Sequence, residues 1–339
     1  MNTYKYYFTT LSKPEKEAYV AMESAFGTMK SEFSVPKLPF ERLADIHTML
    51  KLDCPLLFNT DSLTFSLSAG AGSITVRPNY TVKKKEYFDT LSTVEKRLSR
   101  ILSAMPDGSI FEKERFIHDF IVKSVTYDKI KKQYSHEITG PLCHGIGVCE
   151  GMSKTFKLMC DAVGIECICV IGSGVSRGES TGKKWERHMW NLVRPDSQYL
   201  AVDVTFDNSL SSNGLTRYDY FNVSDRIMAC SHSSVIFPVP AANTEKSDYY
   251  SKTKRSFSQS DDIITAVRDA FKAPYVAVFR FEKADTDTVK AKIKDALSRD
   301  KRSAKFKSFS FGQDASGVIV LSLTPKECEA GKKEQNAQC

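Results

Sequence analysis

Between residues 149 and 163, Met152, Phe156, Met159 and Val163 recur at helical spacing and line one face. A glycine-bearing loop at Gly147 leads into this amphipathic helix, and Gly164 follows it as a C-cap. Three strand-like runs come next, at 167–171, 188–193 and 199–204. A helix that must bury one face, followed at once by successive strands, confines the middle of the chain to a mixed helix-and-sheet unit.

The flanking segments carry their own signals. Ser12-Lys13-Pro14-Glu15 is a capping box with proline in the first turn, and it opens a helix bearing Tyr19, Met22, Phe26 and Met29. A second helix is predicted over 40–51. Leu63, Phe65 and Leu67, then Ile74 and Val76, alternate with polar residues and predict a hairpin through Ala69-Gly70-Ala71-Gly72. Helices are predicted over 87–105 and, from the capping box Ser109 to Glu112, through Val122. Residues 242–261 are polar and poor in aliphatics, which reads as a linker. Beyond them a strand at 275–281, a helix at 285–297 and a closing hairpin predict a small α/β unit. The expected divisions are 1–108 for N-terminal helices and hairpin, 109–241 for the core, 242–261 for the linker, 262–325 for the C-terminal unit and 326–339 for a polar tail.

The chemistry concentrates where the loop turns into the central helix, at Gly147-Val148-Cys149-Glu150-Gly151. A cysteine there faces unpaired backbone N–H groups and the positive end of the helix dipole, which favour thiolate and could hold an oxyanion. Such a nucleophile needs a base, and the base an orienting acceptor. His188 opens the second strand-like run. Asp203, between Val202 and Val204, interrupts an apolar run and needs hydrogen-bond donors, for instance an imidazole N–H. The bland alternative makes Cys149 a buried structural thiol and His188 a satisfied core histidine.

The segment Gly147-Val148-Cys149-Glu150-Gly151, with Phe156, Cys160, Gly164 and Ile165, resembles the nucleophile segment of the transglutaminase-like superfamily. His188-Met189-Trp190-Asn191 resembles its histidine strand, with Met189 in place of the usual alanine. Asp203-Val204-Thr205-Phe206-Asp207 resembles its aspartate strand, with Phe206 in place of tryptophan. Tyr127-Asp128 and Tyr218-Asp219-Tyr220-Phe221-Asn222 look like the flanks of bacterial members. The resemblance covers roughly residues 109–240. It implies an α+β, papain-like transglutaminase core with Cys149 as nucleophile, His188 as base and Asp203 as orienter. It also implies a cysteine acyltransferase or peptidase working through an acyl-enzyme on protein, peptide or carboxamide substrates. The alternative is a non-catalytic binding or scaffold module with a vestigial triad.

Tyr127 and His144 are secondary candidates for an oxyanion donor or cleft lining, and Trp190 for a wall of the cleft. His118-Asp119 reads as a surface pair. Cys143-His144 and Cys167 with Cys169 lack paired Cys-x₂-Cys spacing, so neither a metal nor a cofactor is expected. The 48 Lys and Arg against 41 Asp and Glu are interspersed, which argues for solvated faces rather than a nucleic-acid surface. No apolar run reaches the length of a membrane helix. Nine scattered cysteines read as reduced thiols, and the first residues lack the layout of a signal peptide. Together these predict a cytoplasmic protein, or a secreted or surface-attached one if a leader precedes the sequence given.

Overall fold

The computed structural model describes residues 3–67, 72–175, 184–212 and 214–326. The chain divides into two compact units. The first runs through Leu210 and resumes over Tyr220–Glu245; the second comprises Ser211–Asp219 and the chain from Lys246 onward.

In the first unit the helix Cys149–Ala162 lies on a four-stranded sheet. From one edge to the other its strands are Leu200–Val202, Glu186–Arg194, Glu166–Gly174 and His232–Ser233, each antiparallel to its neighbour. The register sets Gly172 opposite His188, Val170 opposite Trp190, and Gly174 opposite His232. The helix is buried from Gly151 to Asp161, polar side included. Its two lysines are satisfied there: Lys154 meets Glu137 and Glu150 at 2.8 Å each, and Lys157 donates to the Tyr4 and Cys167 carbonyls and to Asp161. Gly164 ends the helix at φ +79°, where the Ile165 N–H reaches the Cys160 carbonyl at 2.9 Å.

The N-terminal helices Lys13–Thr28 and Phe40–Asp53 form as the spacing predicts, the first with its capping box made by Ser12 and Glu15. Tyr19, Phe26, Leu43 and Leu50 share one hydrophobic core with Ile168, Val170, Trp190 and Tyr220. Segments 1–108 and 109–241, set apart in the sequence, are therefore one packed body. The strands Thr60–Leu67 and Ser73–Tyr80 pair antiparallel, and a strand the sequence did not signal, Phe33–Pro36, joins them. Of the turn expected at 69–72, residues 69–71 lie outside the described residues.

The second unit has its own sheet, ordered Ser256–Phe257, Val276–Phe281, Val318–Pro325 and Phe306–Gln313. Helices Ile264–Asp269 and Thr286–Ser298 accompany it, around a core that includes Val267, Phe279, Ile293 and Leu321. Residues 242–261 are not merely a linker. They contain a helix, Tyr249–Lys252, capped by the Asp248 carboxylate, and the strand Ser256–Phe257, which runs parallel to Val276–Phe281. That pairing is long-range, so local polarity hid it. Residues 211–219 also pack with this unit, through Asp219, which accepts from Arg217 and from the Tyr250 hydroxyl.

Gly151 makes the central helix possible where it is. A Cβ on it would overlap the Ser135 carbonyl and lie 3.0 Å from that of Glu137, both backbone and unable to yield. Gly151→Ala should therefore destabilise the protein by about 1–3 kcal/mol in denaturant unfolding. Gly27→Ala, in a helix where the new methyl meets only Leu57 at 3.9 Å, should leave stability unchanged or raise it.

Candidate active site

Val148 is extended and Cys149 is the first residue of its helix, so the thiol stands at the helix N-terminus. The loop before it is held by the Val148 N–H donating to the Ser135 carbonyl, at 3.0 Å, and by Tyr127 pairing with Gly147. Across the cleft, His188 projects from the start of its strand. Two bonds fix helix to strand: the Ser153 hydroxyl donates to the Met189 carbonyl at 3.0 Å, and the Asn191 amide donates to the Ser153 carbonyl at 3.1 Å. The asparagine two residues after Trp190's neighbour Met189 thus sets the spacing between the two elements that carry Cys149 and His188.

Asp203 is not within a strand, as its apolar flanks suggested. The strand ends at Val202 and a helix, Val204–Leu210, begins at once. Asp203 occupies the junction, and its Oδ1 accepts from the Thr205 and Phe206 N–H groups at 2.9 and 3.0 Å. Its Oδ2 lies 2.6 Å from His188 Nε2. Cys149 also interacts with the imidazole, and its charge and hydrogen bonding add to those of Asp203 in favouring the protonated ring. The sequence-derived trio is therefore brought together: Cys149 and His188 line a cleft of about 800 Å³ with Tyr127, Met189, Thr205 and Phe206, and Asp203 lies fully buried behind the histidine.

Burial alone would lower the His188 pKa, but the charge and hydrogen bond of Asp203, with those of Cys149, push it up to about 10. Burial would likewise raise the Asp203 pKa. His188 and the hydrogen bonds of His188 and His232 outweigh it and hold the carboxylate well below its usual range. The imidazole is walled by aromatic rings: Phe206 at 4.7 Å between centroids, and Trp190 stacked at 6.2 Å.

The secondary candidates separate. Tyr127 lines the cleft, half exposed, and its hydroxyl pKa is raised by burial and then by the charges of Cys149, Glu186 and Asp203. Trp190 is buried beneath His188 rather than on the cleft wall, because i and i+2 of a strand share a face. His144 does not approach the site. It ends a π-helical turn, Gly140–His144, which sets its ring against Tyr134 at 4.3 Å, and it lines a different cavity. His118 is no surface residue either: it is fully buried, with Nε2 3.0 Å from Asp207.

One residue beside the site was missed. His232 Nε2 lies 2.9 Å from the same Asp203 oxygen that His188 uses. Nothing in Ser231-His232-Ser233 signals this, since the strand that carries it is two residues long. His188, Asp203 and His232 bring three metal-ligating atoms within 4.8 Å of one another. Separations of 2.6 and 2.9 Å are those of N–H···O hydrogen bonds. A zinc ion about 2.0–2.1 Å from each atom would hold them farther apart, and we assign no metal here.

A helix bearing a cysteine at its N-terminus, laid on an antiparallel sheet that presents histidine, is a papain-like α+β core. Residues 96–204 match the family model of the transglutaminase-like superfamily, and the chain carries a transglutaminase-like domain. No curated protein matches the sequence. Among solved structures, a TGase is 15% identical over 47% of this chain and 47% of its own, with a TM-score of 0.31. A candidate cysteine protease from Cytophaga hutchinsonii is 10% identical over 42% and 61%, with a TM-score of 0.26. A candidate protease from Parabacteroides distasonis is 13% identical over 43% and 40%, with a TM-score of 0.23. This chain thus spans between 40% and 61% of the length of these structures, and superpositions this loose carry no argument about its chemistry. Among the described residues, no helix is long and apolar enough to cross a membrane.

The raised His188 pKa has a consequence for stability. Protonated His188 stabilises the fold fully below its ordinary pKa of about 6.5, and that contribution is lost as pH rises towards about 10. Thermal melting of the wild type and His188→Gln from pH 6 to 10 should show a gap that is widest near pH 6 and closes with rising pH. A gap that widened instead would contradict the pairing.

Proposed function

We propose that this protein is a cysteine acyltransferase or hydrolase acting on peptide or side-chain carboxamides, with Cys149 as nucleophile, His188 as general acid and base, and Asp203 as orienter. The observation that carries the reading is the His188 imidazole, 2.6 Å from Asp203, in a cleft that it lines together with Cys149. The Cys149 sulfur attacks the carbonyl carbon, and the developing oxyanion meets the N–H groups of the helix's first turn. His188 delivers its proton to the departing amine, which leaves a thioester. Water or a second amine then attacks the thioester, gives its proton to His188, and frees the thiolate, which restores the starting ion pair.

Fixing Asp203 by two backbone N–H groups supports this role, since an orienter must not swing with its histidine. The aromatic walls of Phe206 and Trp190 exclude water from one side of the pair and strengthen it.

Release of ammonia from a glutamine-containing peptide measures formation of the thioester, and incorporation of a fluorescent primary amine measures its transfer rather than hydrolysis. Cys149→Ala should abolish both, while Cys143→Ala, which changes a half-buried thiol elsewhere, should retain wild-type rates. His188→Ala should lower the rate by about 10²-fold or more. Equal activity in Cys149→Ala and wild type would end the assignment.

A further inference from the structure

Asp203 Oδ2 is shared. His188 Nε2 stands 2.6 Å from it and His232 Nε2 2.9 Å, and all three side chains are buried. Behind His232 the chain of bonds continues: its Nδ1 is 3.0 Å from the Ser231 hydroxyl, which is 2.8 Å from the Tyr220 hydroxyl. The His232 ring packs against His188, Trp190, Phe206 and Tyr220 at centroid distances between 4.8 and 5.4 Å, so it has no freedom to turn away.

An ionised carboxylate only accepts hydrogen bonds, so both Nε2 atoms must carry the proton. In a neutral His232 that leaves Nδ1 to accept from the hydroxyl of Ser231, although the Met228 carbonyl, which also bonds to the ring, favours the charged form. Burial, foremost, lowers the His232 pKa despite the nearby carboxylate, in keeping with a neutral ring. We infer that His232 is a positioning residue that acts through Asp203: its N–H takes up part of the charge of Oδ2, which would otherwise act wholly on His188.

The consequence is an imidazolium that holds its proton less firmly than it would without His232. A histidine paired with an undivided buried carboxylate holds its proton too firmly to hand it to a leaving amine, because the best acid has a pKa near the working pH. By drawing on the same oxygen, His232 weakens the hold of Asp203 on His188. The position of the carboxylate does not depend on it, since Oδ1 is pinned by the Thr205 and Phe206 N–H groups. Removing the His232 donor should therefore leave Asp203 in place and raise the His188 pKa. Among the described residues, the other titratable and charged groups facing the pair or lining its cleft are Cys149 and Glu150 on the central helix, Tyr127, Lys129, Lys131 and His136 on the segment before it, and Glu186 and Arg187 on the histidine's own strand. None of these changes in the variants below.

This inference rests on the proposed role of the Cys149–His188 pair, and the test separates the two. In the full chain with ring-labelled histidine, the His188 titration midpoint is read by NMR in wild type, His232→Leu, His232→Gln and Ser231→Ala. Folding of each is checked by thermal melting. His232→Leu should raise the midpoint by about one unit. His232→Gln, whose amide nitrogen can replace Nε2–H, should restore it, and Ser231→Ala should raise it by less than His232→Leu. If His232→Leu does not fold, the Gln and Ser231 variants carry the comparison, and a midpoint unmoved in Ser231→Ala overturns the inference. An unchanged or lowered midpoint in a folded His232→Leu overturns it as well, as does a failure of Gln to restore. In parallel, iodoacetamide labelling at pH 6 is compared between Cys149 and Cys143 in the wild type. A Cys149 no more reactive than Cys143 ends the proposed function itself, whatever His232 does.

Discussion

A carboxylate with no access to water holds this site together. Asp203 is fully buried, and its charge survives there only because every direction around it supplies a donor. Oδ1 takes two backbone N–H groups of the helix it caps, and Oδ2 takes two imidazoles. Its own N–H donates to the Tyr220 carbonyl at 2.9 Å. The strand's end, the start of the next helix, the placing of His188 and the return of the chain at Tyr220 all follow from satisfying this one group.

A second acid one helical turn later solves the same problem differently. Asp207 is also fully buried, and it accepts from the Tyr220 N–H at 3.1 Å while contacting His118. The two aspartates grip Tyr220 from both sides of its peptide, one through its N–H and the other through its carbonyl. This ties the helix Ile110–Ser124, which carries His118, to the segment that precedes His232. His118 does not line Cys149's cleft; through Asp207 it braces the frame that carries Asp203.

What the residues revealed in advance divides by the range of the interaction. Capping boxes at Ser12 and Ser109, the stripe Met152-Phe156-Met159 and the turn at Gly164 are local, and each element appears where its pattern predicts. Cys149, His188 and Asp203 were legible because short motifs surround them. The exact station of Asp203 was not, since an apolar flank looks the same in a strand and at the head of a helix. His118 next to Asp119 looked like a solvated pair, and only the fold supplied Asp207. His232 stands in a two-residue strand whose partner, Gly174, is far away in sequence, so no local pattern could mark it. The same blindness to distant pairing turned 242–261 into a supposed linker.

The path of the chain after the site carries a consequence for how this protein can be divided. Between Leu210 and Tyr220 the backbone leaves the first unit, contributes nine residues to the second, and comes back. A gene fragment ending at Glu245 would keep that excursion but lose what it leans on, including the Tyr250 hydroxyl that donates to Asp219 at 2.8 Å. The stranded segment would sit only a few residues from Asp207 on one side and directly abut Tyr220 on the other. The molecule therefore has two cores but no single cut in the chain that separates them.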